Sequence, residues 1–221
     1  MAAAETGYPT APAPADKGFL DVTLPSQKEW WASSATIGLM GFGLTTVLAG
    51  LSNLPPPYGN GITNSFVLAM AMAFGGSTQF AAGLIAMRKG NMFAGSAFLG
   101  YGAFWWAFTL MLWTNNPFFG TGITFYGIAA FTFVWMLFTI AFLINAPKHG
   151  VGITLVFLFL VIAFALLTVK FWMLAQPGTT MISTSLAWVV GGEIVFDGLI
   201  AYYVATADLT NWNYGRKVLP T

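Results

Sequence analysis

Charged residues are missing from two long blocks of equal length. Residues 30–87 and residues 90–147 contain no Asp, Glu, Lys or Arg, and each block is 58 residues long. A helix rises 1.5 Å per residue and needs about 20 residues to cross a hydrocarbon core of roughly 30 Å, so each block predicts two spans joined by a turn. A third stretch, residues 149–207, contains three charged residues. The pattern therefore predicts an all-α membrane protein with six transmembrane helices, near residues 33–51, 66–87, 92–114, 121–144, 151–175 and 181–205.

The predicted connections differ in charge according to their side of the bundle. Those at 53–61, 115–117 and 176–178 are rich in Pro, Gly and Asn, as turns are, and carry no charge. Those at 88–91 and 146–150 are basic. Seven of the eight positive residues fall on the side of the basic connections: Lys17, Lys28, Arg88, Lys89, Lys148, Arg216 and Lys217. The positive-inside rule then places both termini in the cytoplasm.

A transmembrane β-barrel is the other architecture that satisfies the backbone in lipid, and it needs segments of alternating polarity. Residues 157–164 are apolar without alternation, which favours helices. The chain accordingly divides into three parts. We expect a flexible cytoplasmic tail with an interfacial tryptophan pair at 1–31, the six-helix transmembrane domain at 32–206 and a short cytoplasmic segment at 207–221.

Composition agrees with this architecture and excludes several functions. Hydrophobic residues make up 57% of the 221 residues and charged residues 7%, against about 25% in soluble domains. The formal net charge of +1 leaves no basic surface for nucleic acid. The absence of Cys and the single His exclude disulfides, thiolate metal sites and bis-histidine haem. We therefore expect neither a metal nor a cofactor, and no hydrolase, kinase or dinucleotide motif indicates an enzyme.

Glycine is frequent inside the predicted spans. Small residues permit close approach of helix backbones, which is the main packing device in lipid. A glycine that faces a lumen would instead leave room for a solute, and the sequence leaves both interpretations open. The glycines concerned are Gly38, Gly41, Gly43, Gly75, Gly76, Gly83, Gly95, Gly100, Gly102, Gly191, Gly192 and Gly198.

Uncharged polar residues also lie within the spans, namely Thr45, Thr46, Ser77, Thr78 and Gln79. Neutral hydrogen-bonding groups suit a small polar or anionic solute that must be released quickly, whereas a fixed Lys or Arg would hold a carboxylate too tightly. The alternative is that the hydroxyl groups bond their own helix and that Gln79 bridges two helices.

Three charged residues lie inside the last two spans, where a charge costs about 2.5–3.5 kcal/mol on insertion scales. Glu193 and Asp197 are four residues apart and share one helix face. Lys170 lies nearer the outer end of the preceding span, offset from Glu193 by about 10 Å along the bundle. We interpret the acidic pair as a proton-handling or water-contacting site. A structural bond to Lys170 or to a neighbouring protomer is an equal alternative, and a misplaced span boundary is a third.

Six motifs occur in order over roughly residues 33–220. They are GLMGFGLTT at 38–46, GGSTQFAAG at 75–83, RKGNMF at 88–93, YGAFW at 101–105, FALL at 164–167 and YGRKVLP at 214–220. Together they resemble the acetate uptake transporter family, typified by the bacterial succinate–acetate permease and its fungal relatives.

The resemblance implies a hexamer of six-helix protomers, each with its own path narrowed midway by an aromatic and aliphatic constriction. Carried over residue by residue, the constriction consists of Phe42, Tyr101 and Leu160. Apolar walls of this kind dewet a narrow pore, and the Tyr hydroxyl is expected to offer one hydrogen bond at the neck. The residues expected to line the rest of the path are Thr45, Thr46, Gln79 and Asn91.

The start of the first span departs from the family pattern. Family members open it with Asn-Pro-Ala-Pro-Leu-Gly-Leu, whereas this chain has SSATIGL at 33–39. Because Pro preorganises a helix start and Ser can cap one, Ser33 or Ser34 is expected to supply this geometry differently. The charged residues Lys170, Glu193 and Asp197 also depart from the usual uncharged pattern.

The resemblance implies passage of acetate and similar small monocarboxylates, and of succinate, across the cell (inner) membrane by a multi-pass protein. Channel conduction and proton-coupled symport both stay open, and Glu193 or Asp197 would handle the proton in the second case. The alternatives are a channel for formate, ammonium or urea, an intramembrane enzyme that uses the same two carboxylates, and a non-catalytic subunit of a larger complex. The expected partners are the carboxylate solutes, the lipid bilayer and further copies of the chain.

Overall fold

The computed structural model describes residues 32–59, 64–113 and 123–221. Within these ranges the chain forms six long helices and no strand. A short 3₁₀ turn, Ala146–His149, joins the fourth helix to the fifth. The helices are α1 (Ala35–Ser52), α2 (three consecutive segments, Asn64–Met70, Ala71–Thr78 and Gln79–Arg88), α3 (Met92–Leu112), α4 (Phe125–Asn145), α5 (Val151–Leu174) and α6 (Thr184–Tyr214).

Most of these helices have the length and composition of membrane spans. Five stretches of the described chain qualify: Ala35–Ser52, Ser65–Arg88, Phe125–His149, Val151–Leu174 and Thr184–Tyr214. With 21 residues, α3 is also long enough to cross a bilayer, but its Gly, Tyr and Trp residues lower its mean hydropathy. Several of these residues are buried against neighbouring helices, among them Gly95, Tyr101, Gly102 and Trp105.

Except at the end of the last helix, the described helix ends lie within a few residues of the predicted spans. The predicted ends at 114 and 121, and the tail 1–31 with its tryptophan pair, lie outside the described residues. The last helix is longer than its predicted span, because α6 continues past residue 205 to Tyr214.

Polar contacts hold these last turns of α6 against the bundle. Asp208 is buried and accepts a hydrogen bond from the Thr36 hydroxyl at the start of α1. The Asn211 side chain accepts the backbone N–H groups of Val218 and Leu219 at 2.6 and 2.9 Å and donates to the Leu219 carbonyl at 2.9 Å. Hydrophobic periodicity carries no information about such contacts, so the sequence predicts the span but not the further turns of α6.

Two pairs of glycines bring the backbones of α1 and α6 together. A Cβ atom at Gly43 would lie 2.7 Å from the Gly198 carbonyl oxygen, and one at Gly198 would lie 2.6 Å from the Gly43 carbonyl oxygen. The arrangement repeats seven residues further along each helix. A Cβ at Gly50 would lie 2.9 Å from the Gly191 carbonyl oxygen, and a Cβ at Gly191 would lie 2.9 Å from the Gly50 carbonyl oxygen. No side chain larger than hydrogen fits there. We call these four residues the α1–α6 glycine contact.

The middle segment of α2, Ala71–Thr78, is π-helical. Its wider turns leave the Met72 carbonyl available to accept the Ser77 hydroxyl at 2.8 Å and the Trp106 indole N–H at 3.4 Å. Segments of this type are rare and are frequent at functional sites. This one packs against both α1 and α3.

Serine side chains hold the start of α1. The Ser33 hydroxyl accepts a hydrogen bond from the Ala35 N–H at 3.3 Å and so satisfies one free N–H group of the first turn. The Ser34 hydroxyl instead donates to the Ala82 carbonyl of α2 at 2.9 Å. The first helix is therefore tied to its neighbour without the prolines of the family pattern.

Replacement of Gly198 by Ala is expected to destabilise the protein by about 1–3 kcal/mol, because the added methyl group would collide with the backbone of α1. Gly192, on the same helix, has no atom within 4 Å of a Cβ position, so Gly192→Ala is the matched control and should leave stability unchanged. Thermal unfolding in detergent, followed by tryptophan fluorescence, measures both. Equal melting temperatures for the two variants would contradict the α1–α6 glycine contact.

Candidate functional site

A cavity of about 400 Å³ occupies one half of the bundle interior. It extends along α1 from Phe42 to Asn53 and along α5 from Leu160 to Leu174, a length of about 20 Å. Residues of α3 and α4, mostly aromatic, complete its wall. This volume lies in the range of small-molecule sites. We call it the wide cavity.

A second cavity, of about 20 Å³, shares three lining residues with the wide cavity and lies on their opposite side. This volume is enough for about one water molecule. Its wall includes Gln79 of α2, Phe98 of α3 and Phe157 of α5. We call it the small cavity.

Three residues line both cavities, and they are the predicted constriction residues: Phe42, Tyr101 and Leu160. They come from α1, α3 and α5 and are at most 5% exposed. The rings of Phe42 and Tyr101 are 5.8 Å apart between centroids. The two cavities therefore meet at a closed neck made of one side chain from each of three helices.

The sequence predicts that the Tyr101 hydroxyl offers a hydrogen bond to a solute at the neck. In the structure its proton is used elsewhere. It donates to the Thr139 hydroxyl at 2.9 Å, and Thr139 in turn donates to the Trp135 carbonyl at 2.7 Å. Because the phenolic proton is engaged in α4, the neck presents aromatic and aliphatic surface. The ring itself is held by edge and tilted contacts with Phe138 and Phe157.

The four residues predicted to line the path lie in different parts of the structure. Thr46 lines the wide cavity and Gln79 the small cavity, and each has a buried side-chain oxygen without a hydrogen-bond partner in the described chain. Thr45 is fully buried with an unpartnered hydroxyl, but it lines neither cavity. The Asn91 side chain accepts the Ala94 N–H at 3.0 Å and caps α3 instead of lining either cavity.

Glycine lines neither cavity. Of the two interpretations that the sequence leaves open, close packing fits the structure. For example, a Cβ at Gly102 would lie 2.7 Å from the Phe80 nitrogen, and one at Gly83 would lie 2.7 Å from the Leu99 nitrogen.

Lys170 corrects the expectation of an uncharged lining. It lies on the wall of the wide cavity, near the end of α5, and its Nζ donates to the Asn53 Oδ1 at 2.5 Å. The alternative in which Lys170 bonds to Glu193 or Asp197 is wrong, because both carboxylates lack any hydrogen-bond partner within the described residues.

Glu193 and Asp197, the two carboxylates predicted to handle protons, both lie on α6. Asp197 is fully buried and interacts electrostatically with Glu193 and with Tyr101. Neither carboxylate lines the wide or the small cavity, although Ile194, between them in the sequence, lines the wide one. The structure thus leaves both carboxylates without a hydrogen-bond partner in the described chain, with Asp197 within electrostatic range of Tyr101.

The sequence did not predict two residues of the site. Thr139 anchors the neck tyrosine, and the signal for it was a hydroxyl inside the very apolar span Phe125–Asn145. Asn53 holds Lys170, but its position in a Pro-rich connection indicated a turn.

Comparison with known proteins identifies the class of this membrane protein. The chain belongs to the GPR1/FUN34/yaaH family, whose sequence model matches residues 18–218. An uncharacterised protein of Methanothermobacter thermautotrophicus is 38% identical over 197 residues, which are 86% of this chain and 91% of that protein. The resemblance found in the sequence is confirmed at the level of the family.

Two relatives connect the fold with transport. The succinate-acetate/proton symporter SatP of Escherichia coli K12 is 32% identical over 198 residues, which are 86% of this chain and 94% of that protein. A solved structure of the bacterial acetate channel SatP superposes with a TM-score of 0.75 at 30% identity, over 86% of this chain and 98% of that one. The protein is therefore an integral membrane protein with the fold of that channel.

Replacement of Thr139 by Val should cost about 1–3 kcal/mol of stability, because the buried Tyr101 hydroxyl then loses its acceptor. Thr139→Ser keeps a hydroxyl at this position and should retain most of the stability. Chemical unfolding of both variants in detergent provides the comparison. If the Val variant is as stable as the Ser variant, the hydrogen bond does not anchor the tyrosine.

Proposed function

We propose that the protein moves acetate and similar small monocarboxylates, with succinate as a further substrate, across the cell (inner) membrane. The observation that carries the proposal is the pair of cavities that meet at Phe42, Tyr101 and Leu160 inside one protomer. Relatives over most of the chain are named as a succinate-acetate/proton symporter and as an acetate channel, which supports the choice of solute.

The chemistry of the neck suits a small solute with an apolar part. A closed ring of apolar side chains excludes water, so a solute must lose part of its hydration to pass. Acetate presents a methyl group to such a surface and one compact carboxylate. In the wide cavity, the hydroxyl of Thr46 and the amino group of Lys170 are available to an anion, which disfavours ammonium as the solute.

We propose that the acidic pair Glu193 and Asp197 handles protons when transport is coupled. Buried charged groups in a span are costly and are commonly functional. Support comes from the burial of Asp197, the lack of hydrogen-bond partners for both carboxylates in the described chain, and the electrostatic interaction of Asp197 with Tyr101.

We propose further that both termini are cytoplasmic and that the protomers form a hexamer. The positive residues Arg88, Lys89 and Lys148 lie in connections at one end of the bundle, and Lys170 lies near the other end. The positive-inside rule favours the cytoplasm for the first end. The hexamer rests on the family resemblance, and the enclosure of the path by one chain is consistent with one path per protomer.

Uptake of labelled acetate into proteoliposomes tests the function. It is measured with and without an inward proton gradient, at zero and at imposed membrane potential, against protein-free vesicles. Flux that follows the potential alone identifies a channel, whereas accumulation driven by the proton gradient identifies symport. Competition by unlabelled formate, urea or ammonium separates the alternative solutes. Absence of acetate flux above the protein-free level would overturn the proposal.

Truncation of Leu160 to Ala is expected to widen the neck. Acetate flux should rise, and monocarboxylates with longer chains should enter that the unaltered protein excludes. Leu158→Ala is the matched control, because Leu158 is 40% exposed on the outer face of the same helix and should have no effect. Unchanged size selectivity in the Leu160 variant would exclude the neck as the selectivity element.

Replacement of Asp197 by Asn should abolish accumulation driven by the proton gradient and keep flux driven by the membrane potential, since the amide cannot carry the proton. Glu193→Gln, measured in parallel, shows which carboxylate matters more. Asp208→Asn is the matched control, because it changes another buried aspartate of α6 that is bound to Thr36. Retention of proton-driven accumulation in both acidic-pair variants would assign the pair a structural role.

A further inference from the structure

The wide cavity contains a positive charge without a matching negative one. Among its described lining residues, Lys170 is charged and no Asp or Glu is present. The rest of the wall is mainly aromatic and aliphatic, with a few neutral polar groups such as Thr46 and Ser52. Water and side chains screen the charge of an ammonium group in such surroundings less than they would on an open surface.

A neutral partner holds this charge in place. The Lys170 Nζ donates one hydrogen bond to the Asn53 Oδ1 at 2.5 Å, while the Asn53 Nδ2 donates to the Ala49 carbonyl at 2.8 Å. The amide is thus fixed by its own helix and orients the lysine without neutralising it. The Phe171 ring, 5.3 Å from Nζ, covers another side.

The amino group keeps hydrogen-bonding capacity toward the cavity. An ammonium group has three donors, and Asn53 uses one of them, so two N–H groups are available to the two oxygens of a carboxylate. Lys170 is ten residues, or about 15 Å, from Leu160 along α5, so an anion bound there has not yet reached the neck.

We propose that Lys170 and Asn53 form a carboxylate-capture site in the wide cavity that concentrates anions ahead of the neck. The inference rests on the proposed function and extends it with a binding step. The site does not trap the solute, because Lys170 is partly accessible to water and the amino group keeps its bond to Asn53. Weak binding of this kind favours entry and still permits release, as conduction requires.

The test is the dependence of flux on solute concentration in proteoliposomes. Lys170→Met removes the charge and keeps the length of the side chain, so the KM for acetate should rise by about tenfold while the maximal rate is retained. Dianionic succinate should show a larger rise. Raising the ionic strength should increase the KM of the unaltered protein and have little effect on the Met variant.

Two further variants separate charge from folding. Asn53→Asp keeps Lys170 but places a carboxylate against it, so the KM should rise here as well. Lys170→Arg keeps the charge and should resemble the unaltered protein. Lys148→Met is the matched control, since it removes an exposed positive charge in the connection before α5, away from the cavity, and should leave the KM unchanged.

A KM that stays unchanged in both Lys170→Met and Asn53→Asp would overturn the capture site while acetate flux still supports the proposed function. A KM that rises equally in Lys148→Met would also overturn it, because the effect would then reflect net charge. Absence of flux in the unaltered protein would instead show that the proposed function itself is wrong.

Discussion

Direct backbone contact between α1 and α6 is the constraint on which the rest of the bundle depends. Helices in lipid gain little from apolar burial alone, so their association relies on close fit and hydrogen bonds. Gly43, Gly50, Gly191 and Gly198 provide this fit at two levels of the crossing. With α6 fixed on one face of α1, an adjacent face carrying Phe42 turns toward the interior, where α3 and α5 supply the other two residues of the neck.

The geometry of the neck depends on residues that line neither cavity. Tyr101 is one of its three walls, and the position of its ring follows from the chain of hydrogen bonds through Thr139 to the backbone of α4. A hydroxyl that faced the solute would give a different barrier, with a polar step in its middle. Because the hydroxyl proton is directed to Thr139, the neck presents apolar surface, and the polar groups of Thr46 and Lys170 lie on the wall of the wide cavity.

The sequence predicts the helices well because each charge-free block must cross the membrane, and this fixes their number and approximate ends. The residues of the neck were predicted from the family resemblance alone, since Phe and Leu at helical spacing are ordinary core residues. The hydrogen-bond partners of the polar side chains were not predicted. Lys170 bonds a residue 117 positions away in the sequence, and Asn91 caps its own helix. The first contact depends on tertiary geometry that spacing along the chain does not encode, whereas the second is a local N-cap contact of the kind that Asn commonly makes.

The π-helical segment of α2 affects how its length can change. Hydrogen bonds in this segment run to the fifth residue instead of the fourth, so its turns hold one residue more than α-helical turns. Loss of one residue between Ala71 and Thr78 would convert the segment to α-helix and leave Gln79 at the small cavity and Ala82 at the Ser34 hydroxyl. The same loss from an α-helical part of α2 would rotate the following side chains by about 100°. The segment is therefore the part of α2 in which a residue can be lost without a shift of the side chains that follow.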